Sequence, residues 1–246
     1  MDPFSLDPAR DVDRDLGSVR FLRPLIGHDV TSLATGVTGW LLIAAGAMLW
    51  VGWTLLPVRI GAFFHWDDFP RVHRRLHLWI WLFRFHLFGH VMAVMGLVAL
   101  ATLFAESPMR IVLLPGVAVC VGGLFIAALA QAFYYHFGAW GAIDMDGKTE
   151  DERKAFVNKL EVSTEYITCL VRFGRVFFGL GQAVLAAGLL LGGLLPSWLG
   201  ILPAILGVAA MALTMGLPDR LDLYKIIFHL NAVWLAAVGY TVLGLA

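Results

Sequence analysis

The chain of 246 residues has few charged side chains, few cysteines and no excess of either charge. Charged residues make up 15% of the sequence, against about 25% in ordinary soluble domains. Its 18 basic and 18 acidic residues cancel, so no overall positive field attracts a nucleic acid and no such partner is expected. The two cysteines, Cys120 and Cys169, are too few for a disulfide framework. A nucleic-acid-binding protein and a disulfide-stabilised domain are therefore both excluded.

Acidic residues are missing from the apolar parts of the chain. All 18 lie outside its long apolar stretches or at their edges. Proton-driven pumps and transporters usually place an Asp or Glu inside the membrane as a proton relay. Carboxylate-bridged di-iron sites draw several carboxylates into a helical bundle. The distribution of acids counts against both classes.

Apolar residues, in contrast, are abundant: they form 59% of the sequence, and the mean hydropathy is +0.78. A bilayer core of about 30 Å requires about 20 apolar residues per helix. Six stretches reach this length, at 34–57, 76–105, 111–138, 176–196, 198–217 and 223–245. We therefore predict an all-α polytopic integral membrane protein, a bundle of six transmembrane helices in contact with the lipid bilayer.

The remaining segments are polar. Residues 1–33 lack the apolar run of a signal peptide and are predicted to form a polar N-terminal arm, which leaves 34–246 as the transmembrane domain. The longest polar stretch is predicted to be a loop at 139–175. Within it, Thr149–Lys159 carries the charges and helix formers of a surface helix, with its first residue or Asp146 as the N-cap.

Basic residues are distributed unevenly between the two predicted sides. The arginines and lysines of loops one, three and five and their flanks number 12, against 5 on the opposite side. The twelve are Arg59, Arg71, Arg74, Arg75, Lys148, Arg153, Lys154, Lys159, Arg172, Arg175, Arg220 and Lys225. Because cytoplasmic loops carry the excess of Lys and Arg, we predict that loops one, three and five are cytoplasmic. The predicted location is the bacterial inner membrane.

Histidine and arginine side chains occur inside the predicted helices. They are His77, Arg84, His86 and His90 in the second helix, His136 at the end of the third and His229 in the sixth. Such groups are costly in hydrocarbon and mark functional sites. His86 and His90 are four residues apart, so they share a helix face. At about 1.5 Å of rise per residue, His86 and His229 lie about 15 Å and 9–10 Å from the same membrane face. They are therefore within reach of one plate-like ligand.

This pattern favours a b-type haem, because neutral imidazole is its commonest axial ligand. The candidate ligands are His86, His90, His136 and His229, and Arg84 is a candidate partner for a haem propionate. We therefore predict a membrane redox protein, an oxidoreductase in electron transport that exchanges electrons with a quinone or a partner subunit. Hydrogen-bond donors suited to a quinone carbonyl are His77, Arg84, Tyr134 and Tyr135.

Two other functions remain open. The first is a metal-dependent membrane enzyme, oxygenase-like or hydroxylase-like, acting on an apolar substrate. Its iron, copper or zinc would be held at the membrane rim by His65, His73, His77 and His136, since histidines four residues apart suit a metal. The second is a non-catalytic membrane subunit, in a larger complex or a homo-oligomer, whose histidines only form hydrogen bonds between helices.

Overall fold

The computed structural model describes residues 32–54, 65–217 and 221–245, and all regular structure within them is helical. The predicted N-terminal arm, up to residue 31, lies outside the described residues. In chain order the helices are α1 (Ser32–Thr54), α2 (Phe69–Arg74), α3 (Leu76–Leu103), α4 (Arg110–Tyr134), α5 (Gly141–Asp144), α6 (Glu150–Lys159), α7 (Glu161–Gly192), α8 (Ser197–Gly216) and α9 (Leu221–Leu243). A π-helical segment, Tyr135–Trp140, joins α4 to α5.

Six of these helical stretches are long and apolar enough to cross a membrane, so the predicted fold class is confirmed at that level. They are α1, α3, α4 with its extension to Asp144, α7, α8 and α9. Most of the predicted boundaries agree closely; the stretch 76–105, for example, corresponds to Leu76–Leu103. The exception is the stretch predicted at 176–196, because α7 already begins at Glu161.

The segment predicted as a loop, 139–175, is largely helical beyond its predicted surface helix. The end of the π-helical segment, α5, α6 and the first half of α7 occupy most of it. Hydropathy missed the early start of α7 because its first turns are polar and exposed, although they continue the helix without a break. With 32 residues, α7 is about 48 Å long. It is thus longer than a bilayer core of about 30 Å.

The predicted surface helix is confirmed as α6, and its N-cap is Thr149. The Thr149 hydroxyl accepts a 3.3 Å hydrogen bond from the Glu152 amide, and the Thr149 amide donates a 2.8 Å bond to the Glu152 carboxylate. The bond from the Thr149 amide to the carboxylate holds the pKa of Glu152 below its ordinary value. Phe156 packs edge-on against Phe69 of α2, with 5.7 Å between ring centroids, and so ties α6 to α2.

Helix α1 lies between α3 and α9, and small residues make both contacts close. A Cβ added at Gly89 of α3 would lie 2.8 Å from Cγ of Leu49 on α1. A Cβ added at Gly46 of α1 would lie 2.4 Å from the carbonyl oxygen of Ala232 on α9. Small residues allow backbones to approach in this way in apolar surroundings. Three helices thus pack tightly on one side of the bundle.

Helix α7 occupies the corresponding position between α4 and α8. A Cβ added at Gly181 of α7 would lie 2.4 Å from the amide nitrogen of Cys120 on α4. A Cβ added at Gly207 of α8 would lie 2.3 Å from the carbonyl oxygen of Gly179 on α7. Helix α9 connects the two groups of helices, since it packs against α1 and also contacts α7 and α8.

Candidate functional site

His86 and His90 form a buried imidazole pair on α3. Their exposed fractions are 1% and 4%. The two rings stack in nearly parallel planes, with 4.9 Å between centroids and 12° between planes. The sequence prediction that the two histidines share a face is therefore confirmed.

The hydrogen bond of His90 defines its tautomer. Nδ1 of His90 lies 2.8 Å from the carbonyl oxygen of His86. A carbonyl oxygen only accepts hydrogen bonds, so Nδ1 carries the proton and Nε2 of a neutral His90 has a lone pair. Nδ1 of His86 is buried and has no hydrogen-bond partner among the described residues. An unpartnered polar atom in an apolar interior is costly, which makes His86 a candidate ligand-binding residue.

Aromatic rings from α1 and α9 surround His86. Trp53 meets it edge-on at 5.4 Å, and Phe228 lies 5.5 Å away. Trp53 and Phe228 also stack on each other at 4.6 Å. Nε1 of Trp53 is buried and lacks a partner among the described residues. The site therefore lies where α1, α3 and α9 meet.

His229 lies on the same side of the bundle, on α9. Its ring is 6.3 Å from Trp50 of α1 and 6.3 Å from Phe228. Its Nδ1 is a second buried imidazole nitrogen without a hydrogen-bond partner among the described residues. Lys225, one helical turn earlier, interacts electrostatically with His229. Phe228 thus contacts His86 of α3 across the helix interface and precedes His229 directly on α9.

Two predicted haem-binding residues lie elsewhere. Arg84 precedes His86 by two residues, which turns it about 200° around the helix. Its Nε donates a 3.3 Å hydrogen bond to the hydroxyl of Tyr135, and its guanidinium lies 5.2 Å from the ring of Trp81. His136 is exposed in the π-helical segment, next to Phe137. The structure therefore does not bring Arg84 or His136 to His86.

The predicted rim histidines are also separated. Nδ1 of His65 lies 2.7 Å from a carboxylate oxygen of Asp67, and Nδ1 of His73 lies 3.1 Å from one of Asp146. His77 is exposed near the start of α3. Within residues 32–54, 65–217 and 221–245, no group of three His, Cys, Asp or Glu side chains is close enough to hold a metal ion. These contacts support ion pairing at the surface better than a metal centre.

Sequence reasoning did not find the two tryptophans of the site or the nearby buried amide pair. Nε2 of Gln182 on α7 donates a 2.7 Å hydrogen bond to Oδ1 of Asn231 on α9. Asn231 follows His229 by two residues, but its side chain pairs with Gln182. Trp53 lies near the end of the first apolar stretch, where tryptophans are ordinary at a membrane boundary, so its position gave no signal. Which helix it would meet is not encoded in that stretch.

Comparison with protein-family models, with curated proteins and with solved structures finds no match to this chain. The function is therefore inferred from the site itself.

Proposed function

We propose that this chain is an integral membrane redox protein that binds a b-type haem through His86 and His229. The observation that carries the proposal is the meeting of α3 and α9 at Phe228. Near that ring are the imidazole of His86 on α3 and that of His229, the next residue on α9, and each has a buried Nδ1 with no hydrogen-bond partner among the described residues. Two neutral imidazoles from two helices are the donor set of a bis-histidine haem.

The chemistry of the surroundings fits this group. Rings of Trp50, Trp53 and Phe228 provide flat apolar surfaces for a planar ligand. Because Trp53 and Phe228 stack against each other beside His86, these rings must repack when a ligand enters. Haem iron supplies reversible one-electron transfer when bound.

His86 and His90 have different roles in this proposal. His86 and His90 are stacked on one helix face, so only one of them would hold the haem together with a histidine of another helix. We assign ligation to His86, which faces α9, and positioning to His90. His90 holds the carbonyl of His86 with its Nδ1–H and supports the His86 ring by stacking.

We also assign a propionate partner from helix spacing. Lys225 precedes His229 by four residues and so shares its face of α9, whereas Arg84 lies on the far face of α3 and bonds to Tyr135. Lys225, in place of the predicted Arg84, is the cation that would pair with a propionate. Arg84 and Tyr135, which share a hydrogen bond of 3.3 Å, are the proposed hydrogen-bond donors to a quinone. Electron exchange with a partner subunit is the alternative to exchange with a quinone.

The proposed placement is the bacterial inner membrane, with α2, α5 and α6 on the cytoplasmic side. Support for membrane insertion comes from the six apolar helices. Support for the orientation comes from the 12 basic residues assigned to loops one, three and five and their flanks.

The test is a reduced-minus-oxidised absorption spectrum of the detergent-purified protein produced with ample haem supply, with iron measured in the same sample. We expect a sharp α-band and about one iron per chain. We expect His86→Ala and His229→Ala each to remove the band, since each deletes a side chain that would hold the haem. His90→Phe retains the band because a ring still stacks on His86, and the exposed His136→Ala is the matched control.

A colourless, iron-free wild type overturns the proposal. Loss of the band in His136→Ala, or its persistence in both His86→Ala and His229→Ala, overturns the ligand assignment. If His90→Phe alone removes the band, His90 is a ligand and the assigned positioning role is wrong.

A further inference from the structure

Arg175 occupies an unusual position at the junction of α4, α7 and α9. Its guanidinium carbon lies 4.0 Å from the centroid of the Tyr224 ring on α9. Tyr224 is buried, with 7% of its surface exposed. Tyr134 of α4 and Arg172, one turn earlier on α7, interact electrostatically with Arg175. A second positive charge and two phenol groups therefore surround this guanidinium.

Among the described residues, the contact with Tyr224 occupies a face of the Arg175 guanidinium and not its N–H donors. A stacked ring covers only the face of the guanidinium, while its five N–H donors lie in the plane. Among the described residues, Arg175 forms no ion pair with a carboxylate. Tyr224 thus holds the cation in place without neutralising it, which is the arrangement expected of an anion site.

The position along α7 indicates where such an anion would come from. Arg175 precedes Gly192, the last residue of α7, by a rise of about 25 Å. If the Gly192 end lies at one boundary of a hydrocarbon core of about 30 Å, Arg175 lies close to the other boundary. Phosphate groups are concentrated at that depth. This step rests on the proposed membrane placement but not on haem binding.

We propose that Arg175, held on the ring of Tyr224 between α4, α7 and α9, binds a phosphate group at the cytoplasmic boundary of the membrane. Guanidinium forks bind phosphate oxygens in a bidentate manner, and Arg172 adds positive charge one turn away. The same chemistry is carried by the headgroup of an anionic phospholipid and by free phosphate.

The experiment titrates three probes into purified protein in a neutral detergent: short-chain phosphatidylglycerol, short-chain phosphatidylcholine and inorganic phosphate at matched ionic strength. A ligand that binds the folded state raises the unfolding midpoint. We expect phosphatidylglycerol to raise it and phosphatidylcholine to raise it less. Arg175→Gln is expected to weaken phosphatidylglycerol binding on the order of five-fold, as for one Arg contact with an anionic lipid.

The matched control is Arg110→Gln, an exposed arginine at the other end of α4, which should bind as the wild type does. Arg175→Lys keeps the positive charge but loses the paired N–H donors of the planar guanidinium. Binding intermediate between that of the wild type and that of Arg175→Gln therefore supports bidentate contact. If Arg175→Gln does not fold, Arg175→Lys is compared with the wild type alone. A response to inorganic phosphate equal to that of phosphatidylglycerol supports free phosphate as the source. Equal binding by wild type and both Arg175 variants overturns the proposal.

Discussion

Gln182 and Asn231 are joined by a hydrogen bond of 2.7 Å in the interior of the bundle. Arg175 and Tyr224, which also contact each other, precede them by seven residues on α7 and on α9. Seven residues correspond to about two turns of each helix. The two helices therefore run side by side in the same direction, with polar contacts repeated at the same interval.

Replacing one member of the Gln182–Asn231 pair should lower the free energy of unfolding more than replacing both. Gln182→Leu leaves the Asn231 amide unpaired in an apolar interior, whereas the double variant with Asn231→Leu leaves no amide behind. We expect a coupling free energy of about 0.6–1.7 kcal/mol. The measurement is a double-mutant cycle of unfolding free energies in bicelles. If the effect of the double variant equals the sum of the two single effects, the hydrogen bond between the two side chains contributes no coupling free energy.

The close contact between α4 and α7 predicts a difference between two glycine substitutions. In Gly181→Ala the new methyl would lie 2.4 Å from the backbone nitrogen of Cys120, so the helices must separate. We expect a loss of about 1–3 kcal/mol in unfolding free energy, as for other overpacked sites. Gly122→Ala is the control, because nothing lies within 4 Å of a Cβ there. Equal stability of the two variants would contradict the packing described.

The sequence predicted the elements better than their contacts. Hydropathy found the six long helices because each is apolar over about 20 residues or more, and four-residue spacing placed His86 and His90 together. Hydropathy could not find the polar start of α7 at Glu161. Nor could it predict that Arg84 forms a hydrogen bond with Tyr135 or that the ring of Trp53 contacts His86. These helices are apolar on nearly all sides, so no polar stripe indicates which face meets which neighbour.

The capping box of α6 predicts that the stability of the first turn of this helix depends on pH. Because the folded protein lowers the pKa of Glu152, the ionised carboxylate stabilises the folded helix. That stabilisation is present above the carboxyl's ordinary pKa and is lost as pH falls through the lowered one. Glu152→Gln should therefore reduce amide protection in the first turn of α6 at neutral pH and have less effect in acid. Hydrogen exchange measured by mass spectrometry tests this expectation.

Asp151→Asn is the matched control for the cap. It removes a charge from the same first turn, but the capping box pairs Thr149 with Glu152. If both variants lose the same protection, the effect comes from the charge near the helix N-terminus and not from the capping bonds.

The proposed orientation can be tested with Cys169, which is exposed on α7. It precedes Gly192 by a rise of about 35 Å, more than the bilayer core, so it should lie beyond the cytoplasmic boundary. A membrane-impermeant maleimide should label it in inverted inner-membrane vesicles but not in right-side-out ones. Labelling only in right-side-out vesicles would reverse the orientation. In Cys169→Ser no labelling is expected, because Cys120 is buried.

The position of α1 between α3 and α9 sets the order in which the protein can be completed. The ribosome makes α1 before α3 and long before α9, yet Gly46 of α1 packs directly on Ala232 of α9. Helix α1 can therefore pack against α3 early, but its other face is covered only once α9 has been made. The contact of Phe228 with Trp53 and His86 also forms only then. Any cofactor of this site would therefore be loaded after α9 is in place, and a chain truncated before α9 would have an incomplete site.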